Sequence, residues 1–145
     1  MYFDPFTLYI VALFAVKHCI ADFFLQDSRV YKTLFGIEST DKTKWSDPGA
    51  QAHGMIHGLF TFIVLLIADI DLFVALVIAY IDVVLHMAID YSKTNISKSL
   101  MLVPHSPHNA VSNDDIRNRV TAYWVLTGID QSLHMLCYLS YMLLI

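Results

Sequence analysis

Apolar residues are concentrated in four long stretches of the chain, and polar segments separate them. Each stretch approaches the roughly 20 residues that an α-helix needs to cross a hydrocarbon core about 30 Å thick. The pattern therefore predicts an all-α polytopic membrane protein, a single domain over residues 1–145 in which four transmembrane helices form an antiparallel bundle. The predicted helices cover approximately residues 6–25, 52–68, 72–90 and 121–145.

The polar segments between these stretches predict how the chain is threaded. Only Asp69–Asp71 separate the second and third helices, which allows nothing longer than a tight hairpin. The long segments 26–51 and 91–120 both follow odd-numbered helices, so they lie on one side of the membrane. They contain eight of the nine Lys and Arg residues. By the positive-inside rule, both loops are predicted to be cytoplasmic and both termini extracytoplasmic.

Two helical features are predicted within these loops. Ser28–Ile37 has the character of a short interfacial helix. Asp114 and Asp115 are placed to cap an amphipathic lead-in to the fourth spanning helix.

The composition is typical of a protein surrounded by lipid and argues against several other classes of protein. Hydrophobic residues make up 57% of the chain and its mean hydropathy is +0.55, above the roughly 45–50% apolar content of soluble proteins. The basic residues form no stripe, so no nucleic-acid partner is expected. Cys19 and Cys137 lack the spacing of a zinc ribbon or a disulfide framework and are interpreted as core residues. The N-terminus lacks a basic region, so the first helix is expected to remain in the mature protein.

Each predicted span carries His or Asp residues at a spacing of four, which places them on one helix face. The antiparallel threading brings these faces together on the cytoplasmic side, with Asp130 and His134 nearer the middle of the membrane and Asp82 also deep. The residues are His18, Asp22 and Gln26 on the first helix, His53 and His57 on the second, Asp82, His86 and Asp90 on the third, and Asp130 and His134 on the fourth.

Four intramembrane Asp residues raise the free energy of membrane insertion, because each unpaired charge near the centre of a span costs about 2.5–3.5 kcal/mol. Lys17 and Lys93 neutralise at most two of them, whereas two divalent cations would offset all four. Mixed nitrogen and oxygen ligands without thiolate suit zinc best, with manganese or iron(II) as rivals, and one or two ions are possible. The predicted ligands are His18, Asp22, His57, His86, Asp90 and His134, with His53 as a peripheral ligand at the cytoplasmic mouth.

The polar residues also form ordered motifs that run through nearly the whole chain. The motifs are His18-x3-Asp22-Phe23-x-Leu25-Gln26 followed by Lys32, then His53-x3-His57, then His86-x2-Ile89-Asp90-x2-Lys93, then Asp130-Gln131-x2-His134. This series resembles the bacterial and phage membrane proteins of domain-of-unknown-function family 3307. By residue type and topology it is also loosely similar to membrane-bound metal-dependent hydrolases. The resemblance implies a multi-pass protein of the bacterial cytoplasmic membrane, encoded by a bacterium or a phage. The long connection Ser92–Arg119 departs from a compact family member.

The first functional hypothesis is a metal-dependent hydrolase that acts at the cytoplasmic face on a lipid-linked or phosphoester substrate. Asp130 or Asp82 would be the general base or would hold an imidazole in place. Lys93 would neutralise or orient an anionic substrate, and the connection Ser92–Arg119 would form a lid. Further substrate-orienting or supporting residues are Gln26, Gln131, Lys17 and Lys32, of which Lys17 has pairing with an Asp as its alternative role.

Other functions use the same residues. An ion or proton transporter, or a sensor, would employ the His and Asp layer as a relay. A haem-binding bundle would take His18, His57, His86 and His134 as axial candidates. A bacterial or phage interaction protein would need the layer only to fix helix register. His105 and His108 are interpreted as loop residues, not ligands. The pair Gly54 and Gly58 is expected to let the second helix approach the first, or to mediate a homo-oligomer.

Overall fold

The structure is a computed structural model that describes residues 4–25, 28–38, 41–102 and 113–145. Every regular element in these ranges is helical, which confirms the predicted all-α class. Gln26, His105 and His108 lie outside the described residues. The elements are α1 (Pro5–Cys19), a π-helical segment (Ile20–Phe24), α2 (Ser28–Phe35), α3 (Pro48–Ile67), α4 (Leu72–Ser99) and α5 (Asn113–Tyr141).

Three of the helices begin at an aspartate that caps the first turn. The Asp4 carboxylate accepts a hydrogen bond from the Thr7 backbone N–H at 3.0 Å, and Pro5 follows at a position where a helix does not need an N–H. Asp47 caps α3 in the same way and is also followed by proline. Asp71 accepts hydrogen bonds from the first backbone N–H groups of α4. These caps fix where each helix starts.

The helices extend further than the apolar pattern predicted. α3 begins at Pro48 instead of residue 52, α4 continues to Ser99 instead of ending at 90, and α5 begins at Asn113 instead of 121. The connection predicted at 91–120 is therefore helical at both ends. The cause is that hydropathy marks only the part of a helix suited to lipid, whereas a helix continues through polar residues until a capping signal ends it.

The short helix predicted at Ser28–Ile37 is present as α2 and ends two residues earlier. Gly36 follows its last residue with φ +67°, a conformation that glycine adopts without strain. The Gly36 N–H donates to the Lys32 carbonyl, which closes the final turn.

Three helices are long and apolar enough to cross a membrane: Pro5–Phe23, Pro48–Ile67 and Leu72–Ser99. These spans are typical of a membrane protein. α5 is not among them, because Asp130, Gln131 and His134 interrupt its apolar sequence.

α3 and α4 form the closest helix pair in the bundle. The turn Ala68–Asp71 joins them, and Gly54 and Gly58 of α3 face Met87 and Val83 of α4. The glycine pair therefore lies against α4, not against α1 as expected from the sequence. Below this contact, α1, α3, α4 and α5 enclose an apolar core that includes Ile10, Phe14, Leu65, Ile78 and Tyr138.

Replacement of Gly58 by alanine is expected to destabilise the α3–α4 pair. The new Cβ would overlap the Val83 side chain and lie 3.0 Å from the backbone oxygen of Ala79, which cannot rotate away. Overpacking of this kind costs about 1–3 kcal/mol. Gly128→Ala is the matched control, because no atom lies within 4 Å of its Cβ position. Reversible unfolding in mixed micelles should show a loss of stability for Gly58→Ala alone; equal stability of the two variants would contradict the close contact.

Candidate metal centre

The predicted His and Asp residues converge in the interior of the bundle. All five imidazoles are at most 2% exposed, although they come from four different helices. Asp22, Asp90 and Asp130 lie among them. The five are His18 of α1, His53 and His57 of α3, His86 of α4 and His134 of α5.

The tightest group consists of Asp22, His53, His57 and His86. Asp22 Oδ1 lies 3.2 Å from His53 Nε2, 3.1 Å from His57 Nε2 and 3.8 Å from His86 Nε2. The Nε2 atoms of His53 and His86 are 3.1 Å apart. Ligands about 2.0–2.1 Å from a tetrahedral zinc ion are about 3.3 Å from each other. These four distances, 3.1–3.8 Å, are close to the spacing expected between ligands that share one metal ion.

Asp22 reaches this group from the π-helical segment at the end of α1. The wider turn there is closed by a hydrogen bond from the Leu25 N–H to the Ile20 carbonyl, five residues earlier. π-helical turns often occur at functional sites. While Oδ1 of Asp22 faces α3 and α4, Oδ2 lies 3.1 Å from His18 Nε2. Asp22 thus joins imidazoles from three helices.

His53 is oriented by Tyr31, a residue of α2 that no sequence pattern indicated. The Tyr31 hydroxyl lies 3.0 Å from His53 Nδ1. Burial, together with the negative charges of Asp22 and Asp90, raises the pKa of Tyr31 to about 12, so its hydroxyl remains protonated near neutral pH. A ring N–H donated from Nδ1 to this hydroxyl leaves the Nε2 lone pair directed at the cluster, which is the usual support of a metal-binding histidine.

A second group consists of Asp90, Asp130 and His134. His134 Nε2 lies 3.8 Å from Oδ1 of each carboxylate. Asp90 also connects the two groups, because its Oδ2 is 3.4 Å from His53 Nε2 and 3.6 Å from His86 Nε2. The rings of His57, His86 and His134 stack in sequence, with centroid separations of 3.5 and 4.2 Å.

Several buried polar atoms of the cluster have no hydrogen-bond partner among the described residues. They include Asp130 Oδ1 and His134 Nε2, which face each other, and the Nδ1 atoms of His57 and His86. An unsatisfied buried polar atom costs about 1–3 kcal/mol, so such atoms normally have a ligand, an ion or a water. The donor set of imidazole nitrogen and carboxylate oxygen fits zinc, manganese or iron(II).

Lys42, from the segment between α2 and α3, forms an ion pair with Asp90. The sequence placed Lys42 only among the cytoplasmic basic residues. Its turn is held by Asp41, which accepts hydrogen bonds from the Thr43 N–H and hydroxyl; these bonds lower the pKa of Asp41. An ammonium group thus reaches the edge of the ligand cluster from outside the spanning helices.

Asp82 belongs to a separate polar layer below the imidazoles. Its Oδ2 contacts Lys17 Nζ at 2.8 Å and accepts the Thr61 hydroxyl at 2.7 Å, and its Oδ1 accepts the Tyr141 hydroxyl at 3.0 Å. Both carboxylate oxygens are engaged, and the geometry favours a structural role for Asp82. Lys17 takes the alternative predicted from sequence, pairing with an Asp.

The remaining candidates fall into two classes. Gln131 lies inside the cluster, where its Oε1 is 3.0 Å from His18 Nε2 and its Nε2 donates to Asp130 at 3.1 Å. Lys93 contacts the same Asp130 carboxylate at 3.3 Å. Lys32, by contrast, is exposed and pairs with Glu38.

The fold and this cluster define the class: an all-α protein with membrane-spanning helices and a buried group of His and Asp side chains suited to a divalent metal. The chain belongs to the family described as protein of unknown function DUF3307, whose sequence profile matches residues 10–145. The resemblance inferred from the ordered motifs is thus confirmed. Among curated proteins and solved structures, no match to the chain was found.

Loss of the lysine from the Asp82 layer is expected to destabilise the fold. In Lys17→Met, the Asp82 carboxylate keeps two hydroxyl partners but loses its buried counter-charge, and breaking a buried ion pair costs about 3–5 kcal/mol. The double variant Lys17→Met with Asp82→Leu removes both charges and should recover most of this loss. Reversible unfolding in mixed micelles measures the free energy of unfolding of the single and the double variant. A single variant as stable as the wild type would show that the ion pair does not support the bundle.

Proposed function

We propose that this protein is a membrane-embedded, divalent-metal-dependent hydrolase that acts at the cytoplasmic face on a lipid-linked or phosphoester substrate. The observation that carries the proposal is the group Asp22, His53, His57 and His86, in which Asp22 Oδ1 lies 3.1–3.8 Å from the Nε2 atoms of three imidazoles. These residues would hold a divalent ion, which would supply Lewis-acid chemistry for hydrolysis near neutral pH.

The charges around the cluster favour one ion over two. Lys17, Lys42 and Lys93 contact Asp82, Asp90 and Asp130, respectively. Asp22 is contacted by the imidazoles of His18, His53 and His57. Four carboxylates and three ammonium groups leave one net negative charge with neutral imidazoles, which one divalent ion at the Asp22 group more than balances. A second ion would leave an excess of positive charge in a low-dielectric interior.

Catalysis requires a coordination position for the substrate or water, whereas a closed set of four ligands is typical of structural zinc. His53 is the ligand best placed to leave that position, because its Nε2 also lies 3.4 Å from Asp90 Oδ2. Asp22, His57 and His86 would then form a three-residue zinc site. Manganese or iron(II), with more coordination positions, would allow all four residues to bind.

Charged residues around this group have separate roles in the proposed reaction. Asp130 has a buried oxygen, Oδ1, that lacks a described partner and can accept a proton from water. Lys42 and Lys93 flank the cluster and would stabilise the negative charge that develops on a phosphoryl group. Gln131, which contacts both His18 and Asp130, would hold these two side chains in register.

We further propose that α5 is the fourth span and that the cluster lies on the cytoplasmic side of a bacterial inner membrane. α5 has 29 residues, a length of about 43 Å at 1.5 Å per residue. Its His134, Tyr138 and Tyr141 are buried in the bundle, while Trp124 and Leu136 are exposed as lipid-facing residues would be. The orientation follows from the concentration of Lys and Arg in the loops.

The transporter alternative receives less support from the fold. Beneath the Asp82 layer, the described helices enclose an apolar core that includes Ile10, Phe14, Leu65 and Ile78. A relay across the membrane needs polar groups or water along its whole length. A polar cluster confined to one part of the bundle is more compatible with catalysis there than with passage through the membrane.

Elemental analysis of detergent-purified protein, prepared without added metal or a metal-affinity column, tests the ligand assignment. The wild type should contain about one zinc, manganese or iron atom per chain, and His57→Ala should contain at least about tenfold less, because one of few ligands is lost. His134→Ala, a buried histidine outside the Asp22 group, is the matched control and should retain the metal. A folded wild type without metal would refute the proposal, and equal losses in both variants would refute the single-ion assignment.

Asp130→Asn tests the proposed base. The amide keeps the shape of the side chain but accepts protons poorly, so hydrolysis should fall about 10²–10⁴-fold while the metal content is unchanged. The assay is release of inorganic phosphate from lipid phosphomonoesters in mixed micelles. Loss of metal in this variant would show that Asp130 is a ligand; full activity would exclude it as the base.

A further inference from the structure

A cavity of about 240 Å³ lies between α4 and α5. Most of its wall is apolar and includes Leu85, Ile89, Ile129 and Leu133, and Ser92 and Lys93 supply polar groups. The cavity opens at the surface of the bundle, since its lining residues Ile129 and Leu133 are 53% and 43% exposed. In a membrane this surface faces lipid, so the cavity is a lateral groove.

The polar and apolar residues of this groove are separated along the direction of the helix axes. α4 and α5 are antiparallel: Asp82 contacts Tyr141, Lys93 contacts Asp130 and Arg119 contacts the Met101 carbonyl. Ser92 and Lys93 therefore lie towards the helix ends that carry Lys98, Arg117 and Arg119. Leu85 lies eight residues, or about 12 Å, deeper along α4. A polar end near the membrane surface and an apolar end towards its centre match the orientation of a lipid in one leaflet.

The polar end of the groove is in contact with the His and Asp cluster through Asp130. Its Oδ2 lies 3.3 Å from Lys93 in the groove, while its Oδ1 belongs to the group with Asp90 and His134. Asp130 is 2% exposed, whereas the Lys93 side chain is 23% exposed and accessible from the groove. An anionic group paired with Lys93 would therefore lie beside the proposed catalytic residues.

We propose that this groove binds one hydrocarbon chain of a lipid phosphate monoester, with the phosphate held by Lys93 and Ser92. The inference rests on the proposed function and names its substrate class. The volume is below the roughly 300–1,000 Å³ of a pocket for a whole ligand, so the groove accommodates part of one chain while the rest remains in the bilayer. A water-soluble phosphoester would make no use of the apolar wall. A second copy of the chain would have to bury Lys93 against an apolar surface.

Photolabelling of the full chain in lipid nanodiscs tests this groove. The probes are phosphatidic acid and diacylglycerol, each with a diazirine in one acyl chain, and mass spectrometry maps the labelled peptides. Ala88→Phe fills the groove from its α4 wall. Val84→Phe, four residues earlier on the same helix and outside the groove, is the matched control. Labelling of α4 and α5 by phosphatidic acid should fall about tenfold in Ala88→Phe, equivalent to about 1.4 kcal/mol, and stay unchanged in Val84→Phe.

A second pair keeps the test decisive if Ala88→Phe does not fold. Ile129→Trp fills the groove from α5, and Val125→Trp changes an exposed residue of the same helix outside it. Lys93→Gln should reduce labelling by phosphatidic acid but not by diacylglycerol, because only the former carries the phosphate.

Three results would overturn the inference: equal labelling of the wild type and both groove-filling variants, equal response of the two lipids to Lys93→Gln, or conversion of a dimer to a monomer by groove filling without a change in labelling. The last would assign the groove to a second copy. Photolabelling requires neither metal nor turnover. Groove-dependent labelling of a protein that contains no metal would refute only the proposed hydrolase, whereas a metal-containing, active protein with groove-independent labelling would refute only this inference.

Discussion

The buried carboxylate of Asp82 is the contact on which the register of the bundle depends. It belongs to α4 and is held by Lys17 of α1, Thr61 of α3 and Tyr141 of α5. Lys17 also donates to the backbone oxygen of His57 at 3.4 Å. A charge in an apolar interior tolerates little displacement from its partners, because each lost contact exposes an uncompensated group. One carboxylate thereby fixes the relative height of four helices.

The imidazole cluster follows from that register and the four-residue period of the helices. One turn above Asp82 on α4 is His86, and one turn above His86 is Asp90. α3 rises in the same order from Thr61 to His57 and His53. On α5 the order is Tyr141, then His134, then Asp130. Because all four helices contribute to the Asp82 layer, the side chains above that layer lie at similar levels along the bundle axis. The close spacing of the ligand atoms is a consequence of helix geometry as much as of local contacts.

This periodicity explains why much of the site was predictable from the sequence. Spacing at i and i+4 identified all five imidazoles, and the alternating threading placed them on one side of the bundle. Tyr31 and Lys42 were missed for a physical reason: they approach the cluster from segments whose positions depend on tertiary packing, and no periodic pattern reports that. Helix ends were misjudged for a different reason. Asp47 caps α3 through local hydrogen bonds, and hydropathy does not detect such bonds. The tight turn Asp69–Asp71, a purely local feature, was predicted correctly.

The apolar core beneath the Asp82 layer has a consequence for the electric field across a membrane that contains this protein. Ile10, Phe14, Leu65 and Ile78 pack with the two buried tyrosines, Tyr138 and Tyr141, to form an apolar section of the described bundle. An elementary charge that crosses a membrane at 100 mV exchanges about 2.3 kcal/mol with the electric field. Because the ionisable groups of the cluster lie on one side of this apolar section, the field falls mainly across the apolar section. In a membrane, the His and Asp cluster can therefore lie inside the bundle while the apolar section remains as the insulating layer.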